Sequence, residues 1–239
     1  MYVAKTDLRQ ENTRLRKTSE GHFEILIASA VTEVPADGGD IGKTTDFTIN
    51  DSDIPTLHNA KIKLVYGDHS EQMRKIVAYQ KQAGANAANE VQKSMHEAYT
   101  KAFETGSMNA FKDSQRFWIR DTKPMIECNI GFIESYRDPK GVRGEWEGQQ
   151  FDIRSLSISL QNLGFAAIVN LERSRAFSQL VEMAESKISN LPWSKEFEKD
   201  EFLSPDFTSL EVMNFGSASM PLGINIVSKL NCIELKISC

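Results

Sequence analysis

An α+β fold is predicted by three features of the sequence. Short apolar runs containing β-branched residues lie between turn residues, long stretches place apolar residues at three- and four-residue steps, and the composition is able to build a core. With 239 residues, 40% hydrophobic and 26% charged, the chain has enough apolar surface for one large domain or two small ones.

Taken in order, residues 4–18 mix Lys, Arg, Glu and Asn after Met1, with no cap or earlier element, and are expected to continue something longer. His22 to Val31 is an apolar run with Ile25 and Ile27, bounded by Gly21 and Pro35, and reads as a buried strand. Asp37 to Thr45, with its paired glycines, reads as a loop. Ile62, Leu64 and Tyr66 alternate with Lys61, Lys63 and Val65 in a second strand that ends at Gly67.

From Ser70 the period changes. Met73, Ile76 and Val77, then Ala87, Ala88, Val91, Met95, Ala98, Tyr99 and Ala102, predict an amphipathic helix up to Gly106, bent or interrupted at Gly84. Thr122 to Gly148 mixes Pro, Gly, charged and aromatic residues, fits neither period, and is the kind of segment in which binding loops are found. A second long helix is expected from Phe165 to Leu191, through Val169, Phe177, Leu180, Val181, Ala184 and Ile188, with Pro192 as its stop.

The net charge of -5, with Lys and Arg scattered among acids, argues against nucleic acid as a partner. The longest apolar run, Ile25 to Val31, is too short to span a membrane, and Lys5, Asp7 and Arg9 stand where a signal peptide needs apolar residues. The three cysteines, Cys128, Cys232 and Cys239, show no paired spacing. That pattern disfavours a disulfide framework and points to a reducing, cytoplasmic setting.

Two local motifs fail their own tests. Gly42-Lys43-Thr44 follows a strand as a phosphate-cradling loop would, but position 37 is Asp37 where that loop needs glycine, and Thr45 to Ile49 lacks helical character. His96-Glu97 opens the helical zinc pattern HExxH, yet Thr100 stands at the second histidine and Lys101 one position further. His96 therefore reads as a surface histidine of its helix, and His22, His58 and His69 lie too far apart to suggest a ligand pair. No elbow or Cys/His signature frames a nucleophile.

Glu127-Cys128-Asn129-Ile130-Gly131-Phe132-Ile133-Glu134-Ser135-Tyr136-Arg137-Asp138-Pro139, continuing through Gly144-Glu145-Trp146-Glu147-Gly148, resembles the signature of the dipeptidyl peptidase III family of zinc metallopeptidases. Asn12-Thr13-Arg14-Leu15, Arg116-Phe117-Trp118-Ile119, Leu191-Pro192-Trp193, Phe197-Glu198-Lys199-Asp200, Pro205 to Leu210 and Gly223-Ile224-Asn225-Ile226 match further family segments in the same order. The resemblance implies a part of a two-lobed fold, with a β-barrel lower lobe, a helical zinc-carrying upper lobe and a peptide-binding cleft between them. Residues 1–147 would belong to the lower lobe as a partial barrel. A helical excursion into the upper lobe would occupy 148–201, with an atypical insert at 149–164, and a return would occupy 202–226. The tail, 227–239, has no family counterpart in this reading.

By the same resemblance, members remove dipeptides from the amino end of short peptides. Substrate-binding roles would fall to Glu127, for the free amino group, to Asn129, and to Gly223 and Asn225, for peptide amides. Asn129 stands where the family commonly has a tyrosine thought to stabilise the oxyanion. The zinc motif of the family lies beyond Ile226 and is absent from this sequence. Zinc is thus the cofactor of the full-length family, none is expected to bind this chain, no catalytic or metal-ligating residue is assigned, and the chain is expected to be inactive alone. The alternative is a truncated, non-catalytic protein that binds peptides or partners.

Overall fold

Thr13–Ser19 forms a strand, β1, that turns back through Gly21 into His22–Ala28, β2. The structure, a computed structural model, describes residues 12–49, 57–121, 124–132, 162–197 and 208–215. The described residues up to 121 fall in one compact unit, and residues 124–130, 163–197 and 208–215 fall in another.

In the first unit β1 and β2 are antiparallel, with Leu15 opposite Ile25, and Gly21 supplies the left-handed turn at φ 68°. β2 then pairs in parallel with Ala60–Asp68, β4, setting Ile25 beside Leu64 and Ile27 beside Tyr66. Asp46–Ile49, β3, closes the other side of β4, so the strand order is β1-β2-β4-β3. Ile25, Leu26 and Ile27 are all buried, as the unbroken apolar run requires of a central strand covered on both faces. One face gathers Ile25, Ile27, Leu64 and Tyr66 with Val34, Ile41, Phe47 and Ile62. Arg14 ties the edge strand to β4 through a two-pronged contact with Asp68, at 2.6 and 3.0 Å.

The strand expected over His22 to Val31 ends at Ala28: the Ser29 amide still donates to the Asp68 carbonyl of β4, but Ala30 and Val31 turn to the helices and donate to the carbonyls of Phe103 and Glu104. β1, which the charged residues 4–18 did not announce, is largely exposed, so no apolar alternation marks it.

Three helices follow: Ser70–Ala85, α1; Glu90–Thr105, α2; and Met108–Arg120, α3. The single helix expected from Ser70 to Gly106 is therefore two. The break falls at Asn86 to Asn89, not at Gly84, because the Asn89 side chain caps α2 by accepting from the Gln92 amide at 2.8 Å. Gly84 stays helical. A Cβ there would lie 3.3 Å from that of His96, so its bare backbone lets α1 approach α2 closely. α2 ends where expected, at Gly106, whose φ of 74° admits the left-handed cap. α3 starts on Ser107, which accepts from the Ala110 amide, while Asp40 accepts from the Ser107 hydroxyl and the Asn109 amide at 2.7 and 3.0 Å. Met73 and Val77 of α1 pack with Ala30, Ala28 and Phe103 into the core between helices and strands. The strand after Gly42-Lys43-Thr44 is β3, so no helix follows that tripeptide.

The second unit holds a three-stranded sheet of Ile126–Phe132, β5; Asn162–Val169, β6; and Leu210–Phe215, β7, in that order. β5 lies inside the segment expected to fit neither period. Leu171–Lys187, α4, follows β6 and runs into a 3₁₀ turn at Ile188–Asn190 before Pro192. The helix expected from Phe165 thus begins six residues later. Phe165, Ala167 and Val169 are buried on alternate positions, the period of a strand, and Asn170 starts α4 by accepting from the Arg173 amide at 3.0 Å.

Both sheets are open among the described residues, and helices and sheets together make a mixed α+β chain. No described helix is long and apolar enough to cross a membrane. Residues 149–161 and 216–239, which include most of the expected insert and the whole expected tail, lie outside the described residues.

Candidate functional site on the second sheet

Of the residues singled out by sequence, Glu127 and Asn129 fall on β5. A strand sends successive side chains to opposite faces, so Glu127 and Asn129 share one face and Cys128 takes the other. Both are buried, Glu127 to 7% exposure and Asn129 to 4%, whereas Cys128 and Ile130 are half-buried.

The register with β6 follows from two contacts. Val169 donates its amide to the Met125 carbonyl at 3.0 Å, and a Cβ at Gly164 would lie 3.8 Å from Ile130 Cγ1. Residues ascending on one strand therefore meet residues descending on the other, an antiparallel pair that sets Glu127 opposite Ala167 and Asn129 opposite Phe165. β6 and β7 are also antiparallel, with Ala167 opposite Val212 and Phe165 opposite Phe215, across an irregularity between Ala166 and Ala167. One row across the sheet runs Glu127, Ala167, Val212, and the next runs Asn129, Phe165, Phe215.

A carboxylate and a carboxamide thus stand side by side among buried Phe165, Ala167 and Val169. Burial strengthens any charge-assisted hydrogen bond such a carboxylate accepts, since the interaction scales inversely with the local dielectric. The amide beside it offers a donor and an acceptor to a polar backbone.

Sequence reasoning missed the apolar partners of this pair. Phe165 and Ala167 were read as helical, and their strand signal is the two-residue alternation with Val169. Gly223 and Asn225 lie outside the described residues, so the structure does not place them against Glu127 and Asn129.

The histidines do not form a metal centre among the described residues, where no three His, Cys, Asp or Glu side chains converge. His96, read from sequence as a surface residue, is buried at 8% exposure against α1, and its Nδ1 lies 2.8 Å from Gln80 Oε1. Its partner was invisible in sequence because Gln80 sits on the neighbouring helix, one element away. The described donor set does not fit zinc.

Compared with known proteins, residues 1–233 match the sequence profile described as "Peptidase family M49". The chain is 44% identical over 216 residues to dipeptidyl peptidase 3 of Dictyostelium discoideum, covering 90% of this chain and 26% of that protein. Dipeptidyl peptidase 3 of Rattus norvegicus is 38% identical over 232 residues, covering 94% and 28%, and that of Nematostella vectensis is 38% identical over 227 residues, covering 94% and 29%. The chain therefore spans less than a third of the length of these relatives. A solved dipeptidyl-peptidase III from Corallococcus sp. strain EGB aligns with 72% of this chain and 28% of its own, at 10% identity and a TM-score of 0.40, a value too low to bear on the fold.

Proposed function

Because the chain belongs to peptidase family M49, we propose that its second sheet is the part of a zinc-dependent dipeptidyl peptidase that receives the amino end of a short peptide. The observation that carries this reading is the buried Glu127 and Asn129 pair on one strand face, in rows with Ala167 and Phe165. Glu127 accepts charge-assisted hydrogen bonds from the peptide's terminal ammonium group, and the Asn129 amide bonds the first peptide unit. Gly223 and Asn225 extend the cradle along the peptide, a role that rests on the family resemblance. A partial barrel around residues 1–147 and a cytoplasmic setting belong to the same reading.

Zinc supplies the activated water in such an enzyme, and the described residues offer it no ligand set. The roles proposed for this chain's residues are those of binding and orientation, and the same reading has the 239-residue polypeptide hold peptides without cleaving them.

Calorimetric titration of the chain with a short peptide tests the reading. We expect binding that weakens when the peptide's amino end is acetylated, and a loss of about 1.5–3 kcal/mol in Glu127→Gln, the range for a hydrogen bond to a charged group. Equal affinity for the free and acetylated peptides, with Glu127→Gln unchanged, would remove it. Chelator-sensitive release of dipeptides by the purified chain with added zinc would overturn the non-cleaving part alone.

A further inference from the structure

α1 and α2 meet over a buried polar contact. His96 is buried on α2, flanked one turn away by buried Gln92 and Tyr99, and its ring faces Gln80 of α1, itself buried. The Gln80 amide oxygen can only accept, so at 2.8 Å the His96 Nδ1 carries a proton and donates it, leaving Nε2 as the place for a second proton. A Cβ on Gly84 of α1 would lie 3.3 Å from the His96 Cβ, so the bare glycine backbone is what lets the two helices come close at the histidine.

We propose that His96 is an acid-sensitive clasp, holding α1 to α2 while its imidazole is neutral and loosening them once it takes up a second proton. A second proton adds a full charge to a ring whose partner is an uncharged amide, and charges buried without a counter-ion are costly.

Several charged groups on the surrounding helices pair with one another at the surface. Lys75 pairs with Glu71 on α1, and Lys81 of α1 pairs with Glu104 of α2. Lys93 pairs with Glu90 on α2, and Arg116 with Asp113 on α3. On the strand side, Arg74 donates to the Ala30 carbonyl. Glu97 follows His96 directly, but adjacent helical residues do not face one another, and Glu97 is exposed.

Burial holds the imidazole below its ordinary value of 6.5. The folded chain then binds fewer protons at this site than the unfolded chain does, so the full contribution to stability is present above 6.5 and is lost as pH falls from there toward the lowered folded value. The effect reaches beyond the helices, because Ala30 and Val31 at the end of β2 hang on the Phe103 and Glu104 carbonyls of α2.

Hydrogen exchange on the full chain, corrected for the intrinsic pH dependence of exchange, reads the clasp directly. The opening constant for amides of Ser70–Ala85 and Glu90–Thr105 is expected to rise by up to about tenfold per pH unit below 6.5. His96→Gln should abolish that rise. Gln80→Glu should shrink or reverse it by giving the imidazolium a carboxylate partner. The same pH response in His96→Gln as in the unaltered chain would overturn the proposal. Should His96→Gln fail to fold, the ring's own titration by nuclear magnetic resonance in the unaltered chain decides: a midpoint below 6.5 supports the clasp, and one at or above 6.5 overturns it.

Discussion

Gly106 does two jobs with one missing side chain. Its φ of 74° ends α2, and a Cβ there would press to 2.8 Å from Ile27 Cγ2 and 3.0 Å from the Ala28 carbonyl oxygen. Gly21 adopts a similar φ of 68° in the β1–β2 turn, but a Cβ there meets nothing within 4 Å. Gly21→Ala should therefore cost only the left-handed backbone penalty of about 1–2 kcal/mol, whereas Gly106→Ala adds the clash and should cost roughly 3 kcal/mol. Urea midpoints of the two variants measure the difference. Tyr66 shows a related effect of position: burial, then Asp40 and Asp37, push its hydroxyl above the ordinary tyrosine value, so it stays protonated at neutral pH in the core beneath the glycine-rich loop.

At the scale of elements, α4 depends on its ends more than on its faces. None of its residues is buried, while α1, α2 and α3 each bury several. Asn170 caps it and also donates to Glu211 Oε1 on β7 at 3.0 Å, so one side chain both starts the helix and ties it to the sheet. Asn170→Ala should lower α4 helicity at a cost of about 1 kcal/mol, read by the change in circular dichroism against temperature. The legibility of the other elements follows their burial. β2 and β4 were readable because Ile25, Ile27, Leu64 and Tyr66 are core residues with a strand period. β1 and α3 were missed for different reasons. β1 buries neither face, and in α3 the apolar marks Ala110 and Trp118 are separated by the polar, fully buried Ser114. Phe165 to Val169 fits either period over so few residues, and only the Asn170 cap shows where strand gives way to helix. Of the candidate site, Glu127 and Asn129 were legible through family resemblance. Their burial beside Phe165 and Ala167 was not, since it arises from a strand pairing across more than thirty intervening residues.

Across the molecule, the two units differ in how deeply their helices are held. Leu180 of α4 is 60% exposed, whereas Tyr99 of α2 is 1% exposed and sits between Phe103 and Phe111 with its hydroxyl bonded to Gln115. Amides of α4 should exchange with solvent faster than those of α2 by roughly two orders of magnitude, measured at neutral pH on the full chain. The parallel seam between β2 and β4 carries a consequence for how the first unit assembles. β1 zips onto β2 through a tight turn, and α1, α2 and α3 form from local contacts, but β2 cannot reach β4 until roughly thirty residues of connection are drawn into a closed loop, at an entropic cost of about 3 kcal/mol. The seam thus joins late in folding, after the local pieces on either side exist to stabilise it, and the connection holding β3 governs the speed of that step more than the strength of the finished sheet.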